Sequence, residues 1–151
     1  LAQAYADWAQ HLLMSPDKQL VVAEKAWSKW SRYMGFCLKV CTDPECPGCI
    51  DPLPQDKRFA AEQWQHWPYL FYYQGFLLTQ QWWHSATTDV PGVSKHHEEM
   101  VSFVARQLLD VISPANFPMT NPEVLKKTLD AGGQNFIQGM TNLVEDWQRR
   151  C

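Results

Sequence analysis

A chain of 151 residues with a formal net charge of −3 and a pI near 5.9 can bury one sizeable core without disulfides or metals, and it offers no electrostatic footprint for nucleic acid or anionic lipid. No run of about 20 apolar residues occurs, so no membrane span is expected. No basic region and apolar run of the signal-peptide kind follows Leu1, so the chain is expected to begin inside a longer protein, and its five cysteines to be reduced thiols in the cytoplasm.

The periodicity is helical throughout. Leu1, Tyr5, Trp8 and Leu12 form a first stripe, and Ser15-Pro16-Asp17 supplies a cap, a first-turn proline and a first-turn acid for a second helix. There Leu20, Ala23, Trp27, Trp30, Met34, Cys37 and Cys41 step alternately by three and four residues, a heptad-like seam about three heptads long. Thr42 to Gln55 holds four prolines and a glycine and cannot be regular. It is the best internal boundary, dividing N-terminal helices (1–41) from a Cys/Pro-rich loop (42–55) and a helical core (56–151).

After a short turn near Ala60 to Gln65, a helix is expected from Pro68 to about Ser85, and Pro91-Gly92 and Ser94 introduce another from Lys95 to Ile112 with Val101, Val104, Leu108 and Val111 inward. Ser113 to Leu125 contains three prolines and two caps, Ser113 and Asn121, and reads as a rigid connector. A helix from Pro122 to about Ala131 is broken by Gly132-Gly133, and Phe136, Ile137, Met140, Leu143, Val144 and Trp147 mark the last one. Nowhere does apolar/polar alternation last a strand's length, so the expected class is all-α, five to seven helices in an irregular bundle.

Cys37, Cys41, Cys46 and Cys49 have ligand types that zinc prefers, and Cys46-Pro47-Gly48-Cys49 resembles a zinc-knuckle turn. Against this, Cys37 and Cys41 belong to the apolar seam, where cysteine serves as a small hydrophobe, and no metal is expected. His96-His97-Glu98-Glu99 cannot converge on one ion, because successive helical residues point about 100° apart, and reads as a solvated helix start. His11, His66 and His84 stand alone among aromatics, where hydrogen-bonded core or rim histidines are expected.

Gln63 to Thr88 has no Asp, Glu, Lys or Arg but holds nine aromatic residues, among them Tyr72, Phe76, Trp82 and Trp83. One side of this helix, with Tyr69, Tyr72, Tyr73, Phe76, Gln80 and Trp83, suits a core. Phe71, Leu78 and Trp82 fall elsewhere, so the helix needs cover on more than one face.

The wording of Ser113 to Asp146, with Asp56-Lys57-Arg58-Phe59, Phe76-Leu77-Leu78-Thr79 and Phe103 to Asp110 in order before it, resembles the N-terminal region of bacterial polyhydroxyalkanoate synthases. The resemblance is nearly continuous from Asp56 to Arg149 and loose before Asp51. It implies a region preceding an α/β-hydrolase catalytic domain with a cysteine nucleophile in a Gly-x-Cys-x-Gly elbow. That motif does not occur here; Gly48-Cys49-Ile50-Asp51, the nearest approach, lacks the second glycine.

The family's function implies a fragment without catalytic residues or cofactor, within an enzyme that polymerises 3-hydroxyacyl-CoA. It further implies the catalytic domain as partner, homodimerisation, and attachment to the polyester granule or its associated proteins in the cytoplasm. Trp27, Trp30, Met34, Tyr72, Phe76, Trp82 and Trp83 are the expected association surface, since amphipathic aromatic rings tolerate a boundary. A free-standing helical interaction module, zinc-stabilised or not, is the rival. Many family members have Asn before the proline that opens the aromatic helix; here Trp67 stands there, so either Gln65 or His66 is expected to substitute as cap or the entry turn is expected to differ.

Overall fold

The computed structural model describes residues 1–150, the Arg150 side chain excepted. Among them are six α-helices, α1 (Ala2–Leu13), α2 (Pro16–Thr42), α3 (Tyr69–Thr87), α4 (Lys95–Val111), α5 (Pro122–Asp130) and α6 (Gln134–Arg150), with 3-10 turns at Glu62–Gln65 and Pro114–Asn116 and no strand. The expected all-α class and helix number are both found. Ser94 Oγ accepts from the His97 N–H, and Asn121 Oδ1 accepts from the N–H groups of Glu123 and Val124 at 3.0 and 3.3 Å, as their sequence positions dictate.

The starts of α2 and α3 lack a side-chain cap bond. Ser15 occupies the cap position of α2 but makes no side-chain cap bond; instead Gln19 Nε2 donates to the Leu12 and Leu13 carbonyls and closes the end of α1. At α3 neither Gln65 nor His66 caps through its side chain. The Trp67–Pro68 peptide is cis, the His66 backbone carbonyl accepts from the Leu70 N–H, and Gln65 Oε1 accepts from the Tyr73 hydroxyl.

α3 is the centre of the molecule. It lies between α2 and α4, while α1 packs on α4 and touches α2, so that four helices close a ring. Leu70, Tyr73, Phe76, Leu77, Leu78 and Ala86 of α3 are all buried. Phe59 stacks on Tyr73 at 5.4 Å and meets the fully buried Trp64 edge-on at 4.9 Å, an aromatic core built from the turn before α3 as much as from α3 itself. A smaller cluster of Ala4, Trp8, Val90 and Val101 joins the first through Trp83, and Trp8 Nε1 donates to the Ala86 carbonyl at 3.0 Å.

Helix faces are rotated from the expected ones in two places. In α1, Ala4 and Trp8 point inward while Leu1 and Tyr5 are exposed. In α4, Val101 and Leu109 are buried, Val104 is half-buried, and Leu108 and Val111 are exposed. Phe103 in α4 and Ile112 just after it are exposed as well, so hydropathy alone does not tell the buried positions of this stretch from the exposed ones.

The start of α4 is not the solvated run expected. His97 Nδ1 bonds Asp7 Oδ2 at 2.6 Å, and His11 Nδ1 approaches Asp7 Oδ1 at 2.9 Å. The bond to His97 holds the Asp7 carboxyl below its usual range. Glu98 is buried, its carboxylate accepting from the Asp89 N–H and from Lys95 Nζ, both at 2.8 Å. The cause for His97 is α1, whose Asp7 arrives from far away in sequence, while Glu98 is held by its near neighbours Asp89 and Lys95.

The Cys/Pro-rich loop is stitched into the core by main-chain contacts. Gln74, fully buried in α3, donates from Nε2 to the Ile50 carbonyl at 2.9 Å and accepts at Oε1 from the Ile50 N–H at 2.9 Å and the Cys49 thiol at 3.3 Å. Gly48 passes so close that a Cβ there would lie 2.6 Å from Gln74 Nε2. Beyond the loop, Arg58 binds Asp56 through two nitrogens at 2.9 and 2.7 Å and Asp110 through a third at 2.8 Å, with its guanidinium 5.5 Å from the ring centres of both Phe59 and Phe76.

The connector after α4 is held by its own side chains. Ser113 is fully buried, Thr120 Oγ1 donates to the Pro114 carbonyl, and Asn121 Nδ2 donates to the Ala115 carbonyl, both at 2.7 Å. α6 packs on α5 alone apart from slight touches, and from Phe136 to Arg149 every residue is exposed.

Candidate association surface

α2 shows two apolar lines to two environments. Val22, Ala26, Lys29, Tyr33, Phe36 and Val40 are buried or half-buried and face the body of the protein. The heptad-like seam lies beside that line: Leu20, Ala23, Trp27, Trp30, Met34 and Cys41 are exposed, and only Cys37 is half-buried. Trp27 and Trp30, 69% and 55% exposed, stack with ring centres 5.8 Å apart. Even so stacked, both rings present most of their aromatic surface to the outside.

A groove of about 470 Å³ runs between α2 and α3 beside this pair, lined by Trp30, Tyr33, Phe71, Tyr72, Leu78 and Trp82. Gly75 opens its floor, where a Cβ would already stand 3.4 Å from the Tyr33 ring. The Tyr33 hydroxyl donates to the Phe71 carbonyl at 3.3 Å, and burial, reinforced by the neighbouring Cys37, pushes its pKa up to about 12. Tyr33 therefore acts as a neutral donor. At the lip, Lys29 Nζ donates to Gln81 Oε1 at 2.9 Å, and burial with Arg32 and Lys25 nearby lowers its pKa.

The aromatic residues singled out in the sequence thus part company. Trp30, Tyr72 and Trp82 border the groove, with Trp27 stacked beyond its lip and Met34 exposed further along α2. Phe76 is only 8% exposed and belongs to the core, and it meets the groove from beneath as part of its lining. Trp82 Nε1 donates to the Val22 carbonyl at 3.0 Å, tying α3 to α2, and Trp83 packs against both core clusters, so each supports the fold first.

Among the cysteines, Cys37, Cys46 and Cys49 are half-buried against the main core while Cys41 is exposed. Burial pushes the Cys49 thiol up, away from the thiolate that a metal or an electrophile needs. Among the described residues no three His, Cys, Asp or Glu side chains come together in a group able to hold a metal. Cys151 lies outside the described residues. The hydrogen-bonded histidines, His11 and His97, both bond Asp7, while His66 and His84 are exposed.

Sequence reasoning missed Gln74, Arg58 with its two aspartates, and Asp7. Only Arg58 left a trace, as part of a recognisable motif without an assigned task. Its partner Asp110 closes the other such motif, Phe103 to Asp110, so two stretches far apart in sequence meet at one ion pair.

Residues 55–151 match the family model described as the poly-beta-hydroxybutyrate polymerase (PhaC) N-terminus. The chain belongs to this family. A poly(3-hydroxyalkanoate) polymerase of Methylorubrum extorquens is 34% identical over 139 residues, which cover 91% of this chain and 23% of that protein. Polymerase subunits PhaC of Rhizobium meliloti and Cupriavidus necator are 36% and 33% identical over 92 and 95 residues, or 60% and 62% of this chain and 15% and 16% of theirs. This member of the polymerase family therefore spans under a quarter of the length of these curated relatives. The first of them extends the likeness into α2, further than the sequence motifs reach. No solved structure matches the chain. Among the described residues no helix is long and apolar enough to cross a membrane.

Proposed function

We propose that this chain is the non-catalytic N-terminal region of a polyhydroxyalkanoate polymerase whose complete form joins 3-hydroxyacyl-CoA units into polyester with release of CoA. It supplies no nucleophile, base or oxyanion donor to that reaction. Its work is to stabilise the enzyme, to bring two copies together and to attach them, in the cytoplasm, to the polyester granule or a granule-bound protein.

The observation that carries this reading is the stacked, exposed Trp27–Trp30 pair beside the aromatic groove between α2 and α3. Exposed apolar patches of this kind mark interaction sites, and Trp and Tyr suit a boundary with a polyester because one edge of each ring stays wet. Trp27→Ala with Trp30→Ala tests it. Sedimentation of the polymerase and its partition onto isolated granules should both fall, while the thermal midpoint holds, since neither ring is in the core. Unchanged association and partition would defeat the assignment. The gene sequence after Cys151 tests the parentage separately and should contain a Gly-x-Cys-x-Gly elbow.

A further inference from the structure

α6 has an apolar face that nothing among the described residues covers. Phe136, Ile137, Met140, Leu143, Val144 and Trp147 fall within a stripe of about 120° on a helix turning 100° per residue, and the opposite side carries Glu145, Asp146 and Arg149. The stripe residues range from 46% exposed at Phe136 to 73% at Trp147.

The direction in which α6 leaves the body is nonetheless specified. Gly132 and Gly133 take left-handed φ values of 58° and 86°, the Gly133 N–H donates to the Thr128 carbonyl at 2.9 Å, and Asn135 Nδ2 donates to Thr128 Oγ1 at 2.9 Å. A fixed elbow aims a face at something. An isolated helix of 17 residues is marginal in water, so this face calls for a cover that is present whenever the protein is folded.

We infer that α6 is the docking helix by which this region grips the catalytic body of its own polypeptide. The inference rests on the polymerase reading above. The match to the polymerase N-terminus runs through α6, while the matched stretch is at most 23% of the curated relatives described here, so most of such a protein lies outside this stretch. A body continuing the same polypeptide meets the stripe at an effective concentration that no second molecule or granule can equal. The stripe's lack of charge fits an apolar protein surface rather than an acidic or basic partner.

Hydrogen exchange of α6, compared between the 151-residue chain and the complete polypeptide encoded by its gene, tests this. Amides from Phe136 to Trp147 should exchange about tenfold or more slowly in the complete protein, independently of protein concentration. Met140→Lys with Leu143→Lys should abolish that slowing, whereas Gln138→Lys with Asn142→Lys on the opposite side should keep it. The thermal midpoint of the 151-residue chain should not move for either pair, which separates docking from folding.

Equal exchange in the two polypeptides, or slowing indifferent to the stripe substitutions, overturns the inference. So does slowing that grows with concentration, since a second copy would then be the cover, or a gene that stops at Cys151. Slowing against a body that lacks the nucleophile elbow leaves the docking standing and overturns the polymerase reading instead.

Discussion

α3 and α6 are both rich in apolar side chains, yet their fates in the structure are opposite. α3 is apolar nearly all round and is enveloped by α2, α4 and the loop before it, with eight residues buried. α6 keeps its apolar residues to one stripe, and from Phe136 to Arg149 buries none. A helix that needs cover from several directions at once is best served by its own chain folding around it. One that needs a single face covered can receive that cover from elsewhere.

The largest effect expected on the enveloped side is that of Phe59→Ala. It removes a ring stacked on Tyr73 and edge-on to Trp64 and should cost about 3–5 kcal/mol in urea unfolding. A loss below about 1 kcal/mol would mean that the core around α3 is less tightly packed than its rings imply.

Gln74→Leu should follow at about 2–3 kcal/mol, because it leaves the Ile50 N–H and C=O without their buried partner. Exchange of the Ile50 amide should accelerate by more than the global destabilisation accounts for. If it does not, the loop is held by something other than this amide.

Arg58→Met should cost about 1–2 kcal/mol, a charge-assisted pair in a partly wet site. Arg58 holds the folded Asp56 carboxyl below its ordinary value of 3.8. Stability from that depression is fully present above the unfolded pKa and is lost as pH falls through the lower folded pKa. The gap between wild type and variant should therefore narrow below about pH 4 and stay level above it. A gap that widens on acidification would reverse the assigned sign.

Smallest is Leu143→Gln on α6, which in the 151-residue chain should change stability by less than about 0.5 kcal/mol. A loss like that of Gln74→Leu would show that α6 already has cover within the chain, and would remove the contrast with α3.

Most of the architecture was legible because its signals are local. Asn121-Pro122, Gly132-Gly133 and the Cys/Pro-rich loop name their own backbone geometry, and α5 and the break before α6 fall within a residue of expectation. What was not legible depends on residues meeting across the chain. Asp7 turns His97 from a solvated residue into an anchored one, and the passage of Ile50 beside α3 gives Gln74 its partners. Each of those polar residues looks ordinary until its partner arrives from a distant stretch.

The candidate surface was half legible for the same reason. Trp27 and Trp30 are exposed and Phe76 is not, yet hydropathy ranks all three as apolar. The α2 seam and the packed line beside it have the same period, so only the position of α3 decides which line faces inward.

The bond between Gln74 and Ile50 leaves one further mark on this molecule. It uses the Ile50 N–H and C=O and not its side chain, so any residue except proline could make the same two bonds there. The neighbouring constraint falls on Gly48, where any side chain would strike the amide. Residues 51–55 can then be rewritten, or interrupted by an inserted tag, while the loop stays moored. Cys46 and Cys49 are held against the core, and the stretch just after them is the one suited to carrying a passenger.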